Sequence, residues 1–320
     1  MRQYLLPESG RFYKVNMHSH SNLSDGRQSP EELKEAYLAL GYSAIAFTEH
    51  GKLHNLSHLT DDRFVAIVSY ELDTHARYEA PFPFYEGKHH GFNHAEVVHM
   101  NLYARDPATT DGIDFANIRS FAVENVNEAV RRAEAAGFFV IYNHPNWSLN
   151  TGETYCHLKG LCGLELMNGA SQRSSDMDYT PLVYDQMLRS GQRIICVGGD
   201  DNHDVQHFGT AWTMVKADEL TYDALVRNIE AGNCYASDGP SIEELYVEDG
   251  VVHIKTSEAV GIFMTTAGRR KACALAENGA PLVTEAAFKL DPDDGYFRIG
   301  VRDAAGKHAN TRAYFMDELQ

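Results

Sequence analysis

The chain has 320 residues, 43% of them apolar, which is enough for one large domain, a smaller one and a sizeable core. Acidic side chains outnumber basic ones by 45 to 28, and the formal charge of −17 argues against binding nucleic acid through bulk electrostatics. No signal-peptide pattern and no run of about 18 apolar residues occurs, so we expect a cytoplasmic protein with no membrane association.

Short apolar runs alternate with helical patterns from Val15 to about Gly239, which is typical of βα units around a parallel sheet. The pattern predicts buried strands at 13–17, 43–48, 64–69, 138–142, 163–167 and 193–198. It predicts helices at 30–40, 124–136 and 182–190. The first of these has Ser29 as N-cap, Pro30 at its first position and Glu32 placed to complete a capping box.

Two regions depart from this alternation. The stretch 75–94 is rich in aromatic residues, Pro, Gly and His without a clear period, so we expect a loop insertion near a site. After Gly239 and Pro240, short alternating apolar runs separated by turns such as Asp249-Gly250 indicate antiparallel strands. We therefore expect a division into residues 1–239 and a small antiparallel β domain of residues 240–320.

Residues of metal-binding type stand at the C-terminal ends of the expected strands, where α/β barrels and open parallel sheets place their sites. His18 and His20 end one extended segment and point to the same face. Imidazole with carboxylate is a ligand set for Zn, Mn or Fe. The candidate ligands are His18, His20, Asp25, His50, Glu71, His99, His144, Asp201 and His203. Glu165, within the expected strand 163–167, is of the same residue type.

These residues closely resemble the polymerase and histidinol phosphatase (PHP) superfamily of metal-dependent phosphoesterases. The ordered match comprises His18-Ser19-His20, Ser24-Asp25-Gly26, Thr48-Glu49-His50, Glu71, His99, Asn143-His144-Pro145 and the segment 199–203. The resemblance implies an α/β fold, a distorted (β/α)7 TIM-like barrel, that holds two or three divalent ions at its mouth.

The resemblance also implies a distribution of the ligands. His18, His20, Glu71 and Asp201 would hold one ion, and Glu71 would bridge to a second ion held by Asp25 and His50. His99, His144 and His203 would complete the remaining set. Many relatives have His where this chain has Asp25. Asp200 competes with Asp201 for the family aspartate, and the usual spacing to the following His favours Asp201.

The segment 233–240 is similar to a Gly-Pro signature of the carbaryl hydrolase-like (CehA/McbA-like) subgroup, in which a small β domain follows the barrel. This second resemblance raises an amide, ester or carbamate hydrolase as the alternative to a phosphoesterase. A non-catalytic metal-binding domain is a further alternative. A proofreading module acting on nucleic acid ends is disfavoured by the net charge of −17.

The favoured hypothesis is a metal-dependent hydrolase that cleaves a small phosphorylated molecule through a metal-bridging hydroxide. The leaving group also needs a proton donor, and Asp201 and His203 both remain candidates for this catalytic role. Lys52 and Arg173 are the best-placed basic residues for binding a phosphate, and His207 is a further substrate-binding candidate. His75, His89, His90 and His94 fall in loops near the same mouth. The sequence does not predict an oligomeric state.

Overall fold

The computed structural model describes residues 1–77, 95–277 and 281–319. Over these residues the chain has a mixed α/β fold with one large sheet, one small sheet and few helices. The helices are α1 (Pro30–Ala39), α2 (Val123–Ala135), α3 (Gly152–Tyr155), α4 (Gly169–Ser175), α5 (Pro181–Arg189) and α6 (Tyr222–Glu230). Single 3-10 turns lie at Ser57–Leu59, Ala116–Ile118, Val205–His207, Pro292–Asp294 and Met316–Glu318.

The strands of the first half are β1 (Gln3–Tyr4), β2 (Arg11–Asn16), β3 (Ala44–Phe47), β4 (Val65–Asp73), β5 (His99–Ala104), β6 (Phe138–Tyr142), β7 (Gly163–Asn168), β8 (Ile195–Gly199), β9 (Trp212–Ala217) and β10 (Cys234–Ser237). Those that follow are β11 (Ile242–Glu248), β12 (Val251–Ala259), β13 (Gly261–Thr266), β14 (Lys271–Leu275), β15 (Val283–Lys289), β16 (Tyr296–Arg302), β17 (His308–Thr311) and β18 (Tyr314–Phe315).

The three expected helices are confirmed to within a residue or two as α1, α2 and α5. The capping box of α1 is complete, because the Ser29 hydroxyl accepts from Glu32 N at 3.2 Å and the Glu32 carboxylate accepts from Ser29 N at 2.8 Å. Gly137 and Gly191, which follow α2 and α5, have φ of 87° and 98°. Glycine adopts this left-handed conformation without the strain that a side chain would add, so both helices end where glycine stands.

The large sheet has the order β14-β13-β16-β17-β10-β9-β2-β3-β4-β5-β6-β7-β8, with β18 beside β16. β2, β3 and β4 are parallel, as are β6, β7 and β8. β5 runs antiparallel to both of its neighbours, and β9 runs antiparallel to β2. The expected parallel strands are therefore present, but within a mixed sheet. His99 begins β5 instead of ending a strand, and its register partner is Asp73 at the end of β4.

The expected closed barrel is not confirmed. In the described part of the chain, no continuous ladder joins β8 to a strand at the other side of the sheet, although an isolated bridge links Ser19 with Asn202. Beyond Pro240 the strands pair antiparallel, as the sequence pattern predicts. β1, β11, β12 and β15 form the small sheet, while β17 pairs with β10 and continues the large one. The division at residues 239 and 240 stays a prediction.

Three apolar clusters of the described residues support these layers. The largest packs the strands β2 to β9 against α2, α5 and α6, and the second fills the space between the small sheet and the C-terminal strands of the large one. The third packs α1 against β3 and β4. Polar side chains are buried where the parallel strands end, His18, Glu71 and Asp200 among them. That edge therefore holds the candidate site. No helix in the described ranges is long and apolar enough to cross a membrane.

Candidate metal centre

Six histidines and three carboxylates meet at the C-terminal edge of the parallel strands. The strands deliver them in turn: His18 and His20 follow β2, His50 follows β3, His144 follows β6, and Asp201 and His203 follow β8. Asp25 lies in the loop before α1, and Glu71 lies inside β4. His99 reaches the same edge because the first residue of an antiparallel strand lies beside the last residues of its neighbour. All nine candidates from the sequence are thus brought together.

Glu71 is the centre of this cluster. Its carboxylate oxygens lie 3.1 Å from Nδ1 of His50 and 3.1 Å from Nδ1 of His99. Three more imidazoles approach it through Nε2, with His18 and His144 at 3.4 Å and His20 at 3.5 Å. The side chain is 1% exposed, so five imidazoles surround one buried carboxylate. This is the geometry expected of a residue that bridges two cations.

The other two carboxylates of the cluster lie near different but overlapping sets of histidines. Asp201 lies 3.1 Å from His20 and 3.3 Å from His18. Asp25 lies 3.3 Å from His203, 3.5 Å from His50 and 3.6 Å from His20. Four groups have ligand atoms within 4.8 Å of one another: His20, Asp25, His50 and His203; His18, Glu71 and His144; His18, His20 and Asp201; His50, Glu71 and His99.

This grouping differs from the one implied by the family resemblance. His203 lies with Asp25 and His50, whereas His99 and His144 lie against Glu71. The two neighbouring aspartates also separate. The Asp200 carboxylate accepts the amides of Gly209, Thr210 and Ala211 at 2.7 to 2.8 Å, together with the Tyr37 hydroxyl. Of these two aspartates only Asp201 faces the imidazoles in the described structure, and its role as a ligand stays a prediction.

Charge and burial oppose each other in the cluster. Burial alone would raise the pKa of Glu71, but the imidazoles of His18 and His99 hold it well below its usual range. Asp201 responds in the same direction to His18 and His20. Burial would lower the pKa of His144 and of His203, yet the carboxylates of Glu71 and Asp25 respectively raise each to about 9. The carboxylates are therefore ionised and ready to accept cations.

The donor set fits divalent cations. Nδ1 of His20 is buried, has no hydrogen-bond partner among the described residues and lies toward Asp25. A buried nitrogen without a partner is costly unless something absent from the protein itself satisfies it. His144 and Asp201 have φ of 21° and 50°, a left-handed backbone that non-glycine residues rarely adopt. Such strain is common where side chains must converge on a ligand, and mixed N and O donors suit Zn, Mn or Fe.

A cavity of about 560 Å³ opens above the cluster. Besides seven of the candidate ligands its lining includes Asp73, Arg119, Trp147 and the serines of α4. Arg119 donates from Nε to the Asp73 carbonyl at 3.0 Å, and its guanidinium binds the Asp73 carboxylate. Sequence reasoning missed Arg119, because it stands beside a 3-10 turn with no motif around it.

The buried Asp178 holds in place the part of the cavity wall that Trp147 and Ser171 form. Its carboxylate accepts the amides of Asn146 and Trp147 at 2.8 and 3.0 Å and the Ser171 hydroxyl at 2.6 Å. This ties the loop after β6 to α4. Trp147, which is 41% exposed, lies edge-on to His144 and His99 with ring centroids 5.0 and 5.4 Å away. Asp178 therefore fixes the rim of the cavity beside two candidate ligands.

The basic residues expected to bind substrate do not line this cavity. Lys52 is exposed outside it, and Arg173 lines a different cavity with Tyr179 and His308. His207 is buried instead, where its Nδ1 accepts from His203 N at 3.3 Å and so supports the His203 backbone.

The one described histidine of the expected loop insertion does not lie at the cavity. His75 is exposed and is absent from the cavity lining. His89, His90 and His94 lie outside the described residues.

Comparison with known proteins supports the resemblance. Residues 16–142 match the model of the PHP domain. No curated protein matches the chain. A two-domain protein from Bacteroides vulgatus ATCC 8482, described as containing a PHP-like metal-dependent phosphoesterase, is similar at 17% identity over 98% of this chain and 97% of its own, with a TM-score of 0.47.

Two further solved structures are similar. A metal-dependent phosphoesterase from Bifidobacterium adolescentis ATCC 15703 has 15% identity, covers 71% of this chain and 97% of its own, and has a TM-score of 0.37. An amidohydrolase from Chromobacterium violaceum with bound sulfate and no metal has 13% identity, covers 69% and 96%, and has a TM-score of 0.40. The resemblance therefore rests on the family model, which matches residues 16–142 of this chain.

Proposed function

We propose that this protein is a metal-dependent hydrolase, and specifically a phosphoesterase that acts on a small phosphorylated molecule. The observation that carries the proposal is Glu71, whose buried carboxylate is within 3.5 Å of five imidazoles. Three carboxylates and six imidazoles converge at one edge of the sheet, and divalent Zn, Mn or Fe ions bind such a mixed set of N and O donors. The PHP domain match over residues 16–142 supports the same reading.

The proposed ligands are the nine residues of the cluster, with two or three Zn, Mn or Fe ions. Glu71 would be shared between ions, Asp201 would complete the set of His18 and His20, and Asp25 would complete the set of His50 and His203. Bound divalent cations would lower the pKa of a water and neutralise charge on the reacting group. Asp201 and His203 both line the cavity, and we propose that one of them would take the proton released by the attacking water and pass it to the leaving group.

The charge of the cavity favours an anionic substrate once cations are bound. Its described lining carries the carboxylates of Asp25, Glu71, Asp73 and Asp201 against the single guanidinium of Arg119. Two divalent cations reverse the sign of that sum and would draw in an anion. Arg119 is the protein cation nearest to this role, and we propose it as a substrate contact.

We also propose that the strands around the site belong to a closed barrel. The end of β8 is held to the end of β2 by Asp201 N to His18 O at 2.8 Å and by His20 N to Asn202 O at 3.2 Å. These bonds support the proposal of a barrel that closes at the site.

We also propose a domain boundary between residues 239 and 240, a relation to the CehA/McbA-like subgroup and a cytoplasmic location. Limited proteolysis that releases a stable fragment ending near residue 239 would support the division.

The function is tested by assaying the purified protein against an aryl phosphate, an aryl acetate and an aryl carbamate, each with added Mn, Zn or Fe. We expect hydrolysis of the phosphate that a chelator abolishes and the metal restores. Hydrolysis of the acetate or carbamate alone would refute the phosphoesterase and favour the alternative hydrolase. The absence of turnover with every metal would favour a binding domain.

A further inference from the structure

Glu165 is a buried carboxylate beside the cluster that belongs to none of its ligand groups. It lies in β7 and is 1% exposed. One oxygen, Oε1, lies 2.9 Å from Nδ1 of His18. The other, Oε2, accepts from the backbone amide of His144 at 3.2 Å and from the Asn168 side chain at 2.9 Å. Both oxygens are therefore engaged by protein groups.

The contact with Glu165 leaves the other nitrogen of His18 directed into the cluster. A carboxylate accepts hydrogen bonds, so it favours the tautomer of His18 that carries its proton on Nδ1. Nε2 faces Nε2 of His20 at 3.1 Å, Asp201 at 3.3 Å and Glu71 at 3.4 Å, and it is the nitrogen open to a cation. A carboxylate behind a metal-binding imidazole fixes its tautomer and its ring orientation in this way.

The same carboxylate restrains a second candidate ligand. His144 has a φ of 21°, and its amide points at Glu165 instead of at a strand partner. Asn168 continues the network, because its amide group also donates to Asp201 at 3.0 Å. Glu165 thus connects ligands that arrive from β2 and from the loop after β6, and through Asn168 it reaches a third.

Gly199 lies beside the contact between His18 and Glu165 and has no side chain that would obstruct it. A side chain there would begin 2.7 Å from Cβ of His18 and 3.1 Å from Oε1 of Glu165. The first distance leaves no space for an added carbon and the second is tight, so glycine at this position favours the contact between the two side chains.

We propose that Glu165 is a positioning residue that orients His18 and His144, and that it sets the affinity of the ion they share with Glu71. The inference rests on the metal-dependent function proposed above. It assigns no such role for the ion of His20, Asp25, His50 and His203, none of which contacts Glu165 in the described structure. Losing Glu165 should therefore weaken one class of ion and spare the other.

The test is Glu165→Gln, compared with the wild type and with Glu96→Gln. Glutamine keeps one accepting oxygen but turns an NH₂ group toward the donors of His18 or of His144 and Asn168. Glu96 is a matched control, because it is equally buried and binds Asn150, Thr154 and Arg77 but no candidate ligand. Zn²⁺ is titrated into each apoprotein in competition with a chromophoric chelator, and visible absorption is recorded after loading with Co²⁺.

We expect Glu165→Gln to bind one class of Zn²⁺ about 10- to 100-fold more weakly, with the other class unchanged and an altered Co²⁺ spectrum. Glu96→Gln should match the wild type in both measurements. Wild-type affinity at every site in Glu165→Gln, or an equal loss in Glu96→Gln, would overturn the inference while leaving the proposed function intact. A wild-type protein that binds no Zn²⁺ or Co²⁺ would refute both.

Discussion

The carboxylates of Asp200 and Asp201, although adjacent in the chain, bind different parts of the protein. Asp200 accepts the amides of residues 209–211 and holds the turn after β8, while Asp201 faces His18 and His20. These different contacts indicate that Asp200 has a structural role and that Asp201 is the candidate metal ligand.

We therefore expect Asp200→Asn and Asp201→Asn to have different effects. Asp201→Asn should lower bound metal and activity, the latter by at least about 100-fold, with little change in the unfolding free energy of the metal-free protein. Asp200→Asn should cost about 1–3 kcal/mol, because its new amide group meets backbone donors, yet keep its metal. Elemental analysis and urea unfolding of both variants check this. The reverse pattern would show that Asp200 is the ligand.

Replacing Arg119 by Met should raise KM for a phosphate ester by about 10- to 100-fold, since a charge-assisted hydrogen bond is lost, while kcat changes less. Steady-state kinetics of the metal-loaded enzyme measure the split. Lys52→Met and Arg173→Met are the comparison variants, and both should retain the wild-type KM. If either raises KM as much as Arg119→Met, the expectation drawn from sequence is right and the assignment to Arg119 is wrong.

The ion pair of Asp185 and Arg298 is expected to stabilise the contact between α5 and β16. The guanidinium donates twice to the carboxylate at 2.8 Å, and both side chains are 9% exposed. Asp185→Ala leaves a buried cation without its partner and should cost about 3–5 kcal/mol in urea unfolding. Glu128→Ala, which breaks pairs with Arg131 and Arg132 on the surface of α2, should cost at most about 1 kcal/mol. A similar small effect of both substitutions would contradict this.

Metal removal should lower thermal stability. An ion that binds the folded state at one hundred times its Kd adds about 2.7 kcal/mol, which for a chain of this size corresponds to a shift on the order of 5 °C. Scanning calorimetry with and without added Zn²⁺ or Mn²⁺ measures the difference. His253→Ala, a substitution in the small sheet, serves as control and should show the same shift as the wild type. A melting temperature that is the same with and without metal would argue against a preformed site.

Much of the candidate site was predictable because its residues follow successive strands in order. His18, His50 and His144 each come just after an apolar run, and parallel strands bring such positions to one edge. The start of α1 was predictable for a local reason, the capping box at Ser29 and Glu32.

The remaining features depend on tertiary contacts. The antiparallel direction of β5 cannot be read from its apolar pattern, since a strand has the same period in both directions. Arg119 reaches the cavity only through its contact with Asp73 across a long stretch of chain. Glu165 looks the same in sequence whether it binds a metal or an imidazole, and His203 follows Asp201 so closely that spacing alone cannot assign it to Asp25.

The most direct test of the central claim is the metal content of the wild-type protein and of the double variant His18→Ala and His20→Ala, measured by mass spectrometry after loading and desalting. Circular dichroism confirms that the variant is folded. The account predicts at least two equivalents of Zn, Mn or Fe in the wild type and a loss of at least one equivalent in the variant. Equal metal content in the two folded proteins would contradict it.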